Sequence, residues 1–191
     1  MSTLSRDAVV GMGFASVGEN VRISDRASFY GASRIALGDC VRIDDFCVLS
    51  AGNGGIAIGH NVHVAVYSSM IGAGKISLED FSNISSRVSI YSSSDDFSGE
   101  TMTNPTVSDE FKRVLNADVH IGKHVIVGCG SVILPGVTLE EGVAVGALSL
   151  IRTDCAAFGM YAGVPARRIG ERRRTLLEME RRFMRSIVRS S

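Results

Sequence analysis

Ile121-Gly-Lys-His-Val-Ile-Val-Gly-Cys-Gly-Ser-Val-Ile-Leu-Pro-Gly-Val-Thr-Leu139 and its continuation to Ile151 decide the fold. Val127, Ile133, Leu139, Val145 and Ile151 stand six residues apart, and Leu78, Ile84 and Ile90 form an earlier series. Four places after many of these comes a small or β-branched residue: Ser82, Val88, Val125, Ser131, Val137, Val143 and Ser149. A period of six fits neither an amphipathic helix nor an alternating strand. It fits a short strand and a sharp corner, repeated three times per coil, with the aliphatic residue pointing inward on each flat face. Stacked coils place like residues over one another, so the core becomes columns of Val and Ile. A β-sandwich would not hold a six-residue register over five consecutive hexads.

Working outward, one phrase recurs: Ile35-Ala-Leu-Gly-Asp39, Ile56-Ala-Ile-Gly-His60, Ile76-Ser-Leu-Glu-Asp80, Val119-His-Ile-Gly-Lys123 and Val137-Thr-Leu-Glu-Glu141. The starts are 21, 20, 43 and 18 residues apart. The long interval marks an excursion at residues 92–116, polar and without hexads. Excursions of this length from a rigid repeat are functional or disordered; Phe97, Met102 and Phe111 predict one that packs down as a structured loop. Gly59, Gly122, Gly128 and Gly146 are expected at corners, where a Cβ would crowd or φ is positive.

No helix is expected before residue 166, because Gly and β-branched residues interrupt every window. After Pro165 the pattern turns helical, with Leu176, Phe183 and Ile187 on one stripe and Leu177, Met184 and Val188 beside it. The chain thus divides into a coil over residues 1–165 and an arginine-rich helix over 166–191. An arginine-rich amphipathic helix suits a membrane surface or nucleic acid, but a solenoid end needs covering, so this helix is expected to cap the open end of the coil or to pack on a neighbouring subunit.

Composition agrees. Val (21) and Ile (15) dominate a chain with 6% aromatics and no Trp, and 21 Gly accompany only 3 Pro. The net charge of zero conceals −6 over residues 1–165 and +6 over 166–191. Wholesale disorder and a polybasic nucleic-acid binder are excluded on this balance. Four Cys without a CxxC pair, no signal-peptide layout and no apolar run near 20 residues predict a reduced, cytoplasmic protein without stable membrane insertion.

The hexads, the excursion and the ending Ala162-Gly163-Val164-Pro165-Ala166 together resemble the hexapeptide-repeat acyltransferases over roughly residues 15–170. The galactoside, maltose and xenobiotic acetyltransferases and the sugar acetyltransferases of surface-polysaccharide pathways are most similar. The resemblance implies an all-β solenoid, specifically a left-handed parallel β-helix, a homotrimer, and acetyl-CoA sites between subunits. Handedness comes from the family alone, since the usual crossover rule gives the opposite hand.

Residue by residue, the resemblance puts Cys129 beside the thioester and Gly146 and Ala147 against the pantetheine arm. Arg152 flanks the cofactor, Gly163 and Val164 line the adenine end, and Arg167 meets the 3′-phosphate. Small residues permit close approach and a guanidinium forks onto phosphate, although Gly146 and Ala147 also read simply as a hexad corner. Where the family often has an aromatic after His-Val, this chain has Ile126.

The family's base is a His at the start of the excursion. Here the phrase is Ile90-Tyr91-Ser92-Ser93-Ser94-Asp95-Asp96-Phe97, and Asp95 falls on the histidine. A carboxylate with a pKa near 4 is a poor base for a hydroxyl unless burial or a second carboxylate such as Asp96 raises it. An amine acceptor needs no strong base, and Asp95 would then orient the amine and accept its proton late. His120 is the second candidate base; His60 and His124 occupy turn places, and His63 lies mid-face. Asp96, Asn83 and Arg87 are candidate acceptor contacts, while Asp95 and Asp96 also read as turn-forming carboxylates. His60 with His63 lacks a third ligand, so no metal is expected. The expected activity is acetyl transfer from acetyl-CoA to a hydroxyl or amino group of a sugar, a polysaccharide precursor. The alternative is a non-catalytic or metal-binding trimeric β-helix scaffold.

Overall fold

In the computed structural model, which describes residues 2–188, the chain is a parallel β-solenoid of about seven turns. Residues 189–191 of the expected C-terminal helix lie outside the described part. Each turn contributes a strand to each of three faces. The first face holds Ser16–Val17, Ile35–Leu37, Ile56–Ile58, Ile76–Leu78, Val119–Ile121 and Thr138–Leu139. The second begins at Arg22–Ile23 and ends with the hairpin Gly159–Gly163 and Ala166–Glu171. The third runs from Ser28–Tyr30 to Leu150–Ile151.

The register confirms the columns. Leu37, Ile58, Leu78, Ile121 and Leu139 pair in sequence on the first face. Ile43, Val64, Ile84, Val127 and Val145 do so on the second, and Leu49, Met70, Ile90, Ile133 and Ile151 on the third. All of these are buried, and so are Ser82, Val88, Val125, Ser131, Val137, Val143 and Ser149. Fully burying one such aliphatic side chain stabilises by about 1.5–3 kcal/mol, which explains why the hexad tolerates so little variation inside.

The corners obey a rule that the sequence concealed. Gly59, Gly122, Gly128 and Gly146 have ordinary φ; what they avoid is the next turn. A Cβ on Gly128 would stand 2.5 Å from the Ala147 nitrogen, and one on Gly59 would stand 2.5 Å from Asp80 Oδ1. The left-handed positions are occupied mostly by other residues. Asn20, Cys40, Asn61, Phe81 and His124 stack at the corner between the first and second faces, with φ of 55–60°. Phe46, Tyr67, Arg87, Gly130 and Leu148 stack between the second and third.

Both ends are covered. A short helix α1 (Arg6–Gly11) lies at the N-terminal end, its Ser5 Oγ accepting from the Ala8 N–H at 3.2 Å and its Val9 buried. The expectation of no helix before residue 166 is therefore wrong: one capping serine suffices for a single turn and a half. At the other end Phe158 enters the core, and Arg172 Nη1 donates to the carbonyls of His124 at 2.6 Å and Gly142 at 3.2 Å.

Residues 166–171 also differ from expectation. They form a strand, antiparallel to Gly159–Gly163, and helix α2 begins only at Leu176 and runs to Val188. The exposed edge of Gly159–Gly163 offers unpaired backbone groups, and pairing with it outweighs local helical periodicity. Helix α2 takes no part in covering the C-terminal end. It lies along the first corner, where Glu180 accepts from Lys123 Nζ at 2.6 Å and bonds His124 Nε2 at 2.8 Å, and Phe183 meets Phe81 edge-on.

Candidate active site

The last turns gather the expected cofactor residues. At the corner between the second and third faces, the Leu148 N–H donates to the Cys129 carbonyl at 2.8 Å, so Gly128–Gly130 and Gly146–Leu148 are stacked directly. Ser131 and Ser149 hydroxyls both donate to the Gly146 carbonyl, at 3.0 and 2.8 Å, and fix that turn from inside. The Gly163 N–H donates to Ser149 Oγ at 3.1 Å, which brings the hairpin turn onto the same column. Cys129, Ala147, Gly163 and Val164 are exposed there, and the Val164–Pro165 peptide is cis. Close by, Arg152, Arg167 and Arg168 line a hollow of about 140 Å³ with Cys155 and Tyr161. Arg168 is paired with Glu171 at 2.7 Å, whereas the Arg167 guanidinium donates to the neighbouring Ala166 carbonyl at 3.0 Å and forms no ion pair among the described residues.

Asp95 and Asp96 lie elsewhere, in the excursion. Its base is tied to the coil by the strands Ser93–Ser94 and Leu115–Asn116 and by Ser93 Oγ, which accepts from the Ala73 N–H at 2.7 Å and donates to Asn116 Oδ1 at 2.6 Å. Asp96 turns into the loop, accepting from the Ser98 N–H at 2.8 Å and from both the N–H and hydroxyl of Thr101 at 3.0 and 2.9 Å. These bonds, that to Ser98 foremost, hold its carboxyl at about 2. Asp96 is thus committed to shaping the loop. Asp95 is exposed and lines a hollow of about 570 Å³ with Phe97, Arg113 and Asn116. The loop is structured as expected, but by polar bonds: Phe97, Met102 and Phe111 are 93%, 58% and 56% exposed and do not pack down.

His120 stands apart on the first face, in a groove of about 780 Å³. Its Nδ1 bonds Ser77 Oγ at 2.9 Å and its Nε2 faces Glu79 Oε1 at 3.4 Å. His60 is bound to Asp39 and His63 to Asp44, on different faces, so they form no pair. Among the described residues no group of three or more His, Cys, Asp or Glu is placed to hold a metal ion. Asn83 lies on the second face beside His63 and Ile126. Arg87 shares a corner with Cys129: the Gly130 N–H donates to the Ser86 carbonyl at 3.0 Å, one turn below Cys129.

Within one chain the structure therefore brings Cys129, Gly146, Ala147, Gly163, Val164 and Arg87 to one corner, with Arg152 and Arg167 at its end. It leaves Asp95 and His120 in two other places. Two neighbours of the candidate bases were not expected: Arg113, in the hollow with Asp95, which no repeat announces, and Glu79, facing His120, which the recurring Ile-Ser-Leu-Glu-Asp phrase contains openly.

This architecture defines a hexapeptide-repeat transferase. A family model described as bacterial transferase hexapeptide (six repeats) matches residues 118–153. The dTDP-4-amino-4,6-dideoxy-D-glucose acyltransferase of Escherichia coli is 55% identical over 177 residues, 93% of this chain and 92% of that protein. AntD, an N-acyltransferase from Bacillus cereus solved with dTDP and 3-hydroxybutyryl-CoA, superposes with a TM-score of 0.93 at 42% identity, covering 97% of this chain and 98% of that one. A galactoside acetyltransferase in complex with coenzyme A, at 22% identity and a TM-score of 0.61 over 87% of this chain and 69% of that one, shares the fold. The chain belongs to the hexapeptide-repeat acyltransferase family. The expectations of the stacked coil and of an acyltransferase are met.

Proposed function

We propose that this protein transfers an acyl group from an acyl-CoA thioester to the 4-amino group of a dTDP-linked 4-amino-4,6-dideoxyhexose, in the cytoplasm, for a surface polysaccharide. The observation that carries this is the 55% identity with the E. coli acyltransferase, which extends over 92% of that protein and so takes in the excursion as well as the coil. A serine-to-alanine variant of AntD, crystallised with dTDP-4-amino-4,6-dideoxyglucose and coenzyme A, supports the same pair of substrates.

The residues fit the donor. Cys129, Ala147 and Gly163 offer short exposed side chains or none on one corner, where a thin pantetheine arm can lie against the backbone. Arg152 and Arg167 supply guanidinium groups for phosphate at the end of that row. The amine nitrogen attacks the thioester carbonyl, its carbon–sulfur bond breaks, and the thiolate leaves. The proton lost by nitrogen passes to Asp95, whose carboxylate also holds the amine in place. An amine resolves the difficulty of a carboxylate base, because its deprotonated fraction is already nucleophilic near neutral pH. AntD variants with an aspartate replaced by asparagine or alanine have been crystallised with dTDP and coenzyme A, and an aspartate is the residue type assigned here.

Asp95 and Cys129 stand on different corners of one coil, so the site is completed between copies. The excursion of one subunit in a homotrimer reaches the cofactor corner of the next. The test is thiol release from acetyl-CoA and 3-hydroxybutyryl-CoA with dTDP-4-amino-4,6-dideoxyglucose as acceptor. Turnover is expected with at least one donor; absence of turnover together with no calorimetric binding of coenzyme A overturns the reading.

A further inference from the structure

The groove of about 780 Å³ on the first face owes its shape to the register of the coil. The outward places of that face stack as Ser16, Ala36, Ala57, Ser77, His120 and Thr138. The first four are small and leave a trough, and His120 is the first large side chain the trough meets. The proposed homotrimer leaves this face open. The excursion departs from the corner between the third and first faces, and Cys129 stands between the second and third. The third face joins those two corners, and its Val48, Ile71, Val132, Leu134 and Leu150 are apolar and only half-buried. Contact over the third face unites Asp95 with Cys129 and does not touch the trough.

At the His120 end three side chains form a directed series. Ser77 Oγ lies 2.9 Å from His120 Nδ1, and His120 Nε2 faces Glu79 Oε1 at 3.4 Å. A carboxylate only accepts, so Nε2 carries the ring proton and Nδ1 accepts from the Ser77 hydroxyl. The other acceptor within reach of that hydroxyl, the Val119 carbonyl, is farther, at 3.5 Å. Glu79 is itself held, its Oε2 accepting from the Lys123 N–H at 3.0 Å. A hydroxyl, a base and an orienting carboxylate thus stand in the order that activates a serine. Folding does not require the hydroxyl, since Ala57 fills the paired place one turn below.

We infer that Ser77, His120 and Glu79 form a site, separate from the proposed acyl-CoA site, that hydrolyses a neutral carboxylic ester. Asp39, Glu79 and Asp80 line the trough and repel a polyanion such as coenzyme A, while the small floor admits a thin, extended chain. Ser77 Oγ attacks the ester carbonyl carbon as its proton passes to His120 Nδ1. The bond from that carbon to the alkoxy oxygen breaks, and the leaving alcohol takes the proton. Water then attacks the acyl carbon and gives a proton to His120; the carboxylic acid leaves and Ser77 regains its hydroxyl proton. Lys75 lines the same trough without an ion pair among the described residues, and its charge stabilises the oxyanion. Glu79 touches no substrate and is a positioning residue for the imidazole.

The test is hydrolysis of p-nitrophenyl butyrate by the full-length protein, together with a fluorophosphonate probe located by mass spectrometry. The wild type is expected to hydrolyse the ester and to carry the probe on Ser77. Ser77→Ala keeps the fold, as Ala57 shows, and is expected to lose the label and about 100-fold or more in rate. His120→Gln is expected to lose about as much. Glu79→Gln is expected to lower kcat about ten-fold with KM unchanged, a split that loss of fold would not give. No probe on Ser77 of the wild type, or undiminished hydrolysis by Ser77→Ala, overturns the inference. Full kcat in Glu79→Gln overturns the positioning role.

Discussion

Replacing Gly128 by Ala tests the close stacking on which the corner bearing Cys129 and Ala147 depends. The added Cβ would stand 2.5 Å from the Ala147 nitrogen and 2.7 Å from the Gly146 carbonyl carbon. Ordinary contact begins near 3.4 Å, so two turns must separate by roughly 0.9 Å at a point where both are backbone and no side chain can yield. Those turns are locked by the Gly128 N–H to Val145 carbonyl bond at 2.8 Å and by Leu148 to Cys129. Overpacking of this kind costs about 1–3 kcal/mol, and a loss near 2 kcal/mol lowers the melting temperature by about 4–8 °C in a chain of this size. Gly146→Ala is the control, because its Cβ comes closest to the Ala162 Cβ, at 3.0 Å, and meets backbone only at ordinary contact, with the Tyr161 carbonyl oxygen at 3.6 Å. It is expected to melt within about 2 °C of wild type. Differential scanning calorimetry of the three proteins decides. Equal melting of Gly128→Ala and wild type, or an equal drop in both variants, refutes the stacking argument.

Asp95→Asn is expected to lower kcat by about 10²–10⁴ with little change in KM for acyl-CoA; unchanged turnover moves the base to His120. The carboxyl of Asp96 sits near 2 against an ordinary 3.8, so its support for the loop is complete above about pH 4 and is lost as pH falls through 2. Amide exchange at Ser98 and Thr101, normalised to intrinsic rates, should accelerate across that window, and a flat profile would deny Asp96 this role. Arg167→Ala should weaken coenzyme A but hardly dephospho-coenzyme A; equal weakening of both discredits the 3′-phosphate contact. Burial pushes the thiols of Cys47 and Cys155 up to about 11, so a maleimide should label the exposed Cys40 and Cys129 first, with coenzyme A slowing Cys129 alone. Rapid labelling of Cys155 would contradict the packing of the last turn.

What could be read from sequence was what repeats. Val127, Ile133, Leu139, Val145 and Ile151 announce their own burial, because each meets the same neighbours above and below. The corners were harder. Glycine suggests positive φ, but Gly128 is required by the turn above it, and the left-handed places fall to Phe46, Tyr67, Arg87 and His124. Their spacing of 21 and 20 from Phe46 to Tyr67 to Arg87 matches the coil period and was available. Residues 166–171 look helical locally, and only the free edge of Gly159–Gly163, distant from any local rule, makes them a strand. The site divides the same way. The corner that carries Cys129, Gly146 and Ala147 lies within the repeat, so its place in the fold was legible from the period. Asp95 and Arg113 lie in the excursion, where no period constrains the chain and three-dimensional placement has to be seen.

The excursion also bears on how such a protein changes over evolutionary time. Ile76–Leu78 pair with Val119–Ile121 in the same register that Ile56–Ile58 keep with Ile76–Leu78, although 43 residues separate the first pair and 20 the second. The coil therefore closes over the insertion as though it were absent, and the ends of the loop are fixed by strands that owe it nothing. Lengthening a loop between fixed ends costs only about 0.6 kcal/mol per doubling. The segment that carries Asp95 and Arg113 can be rewritten, extended or exchanged while the scaffold stands, so under the proposed function acceptor preference can drift on a chassis whose donor corner stays constant.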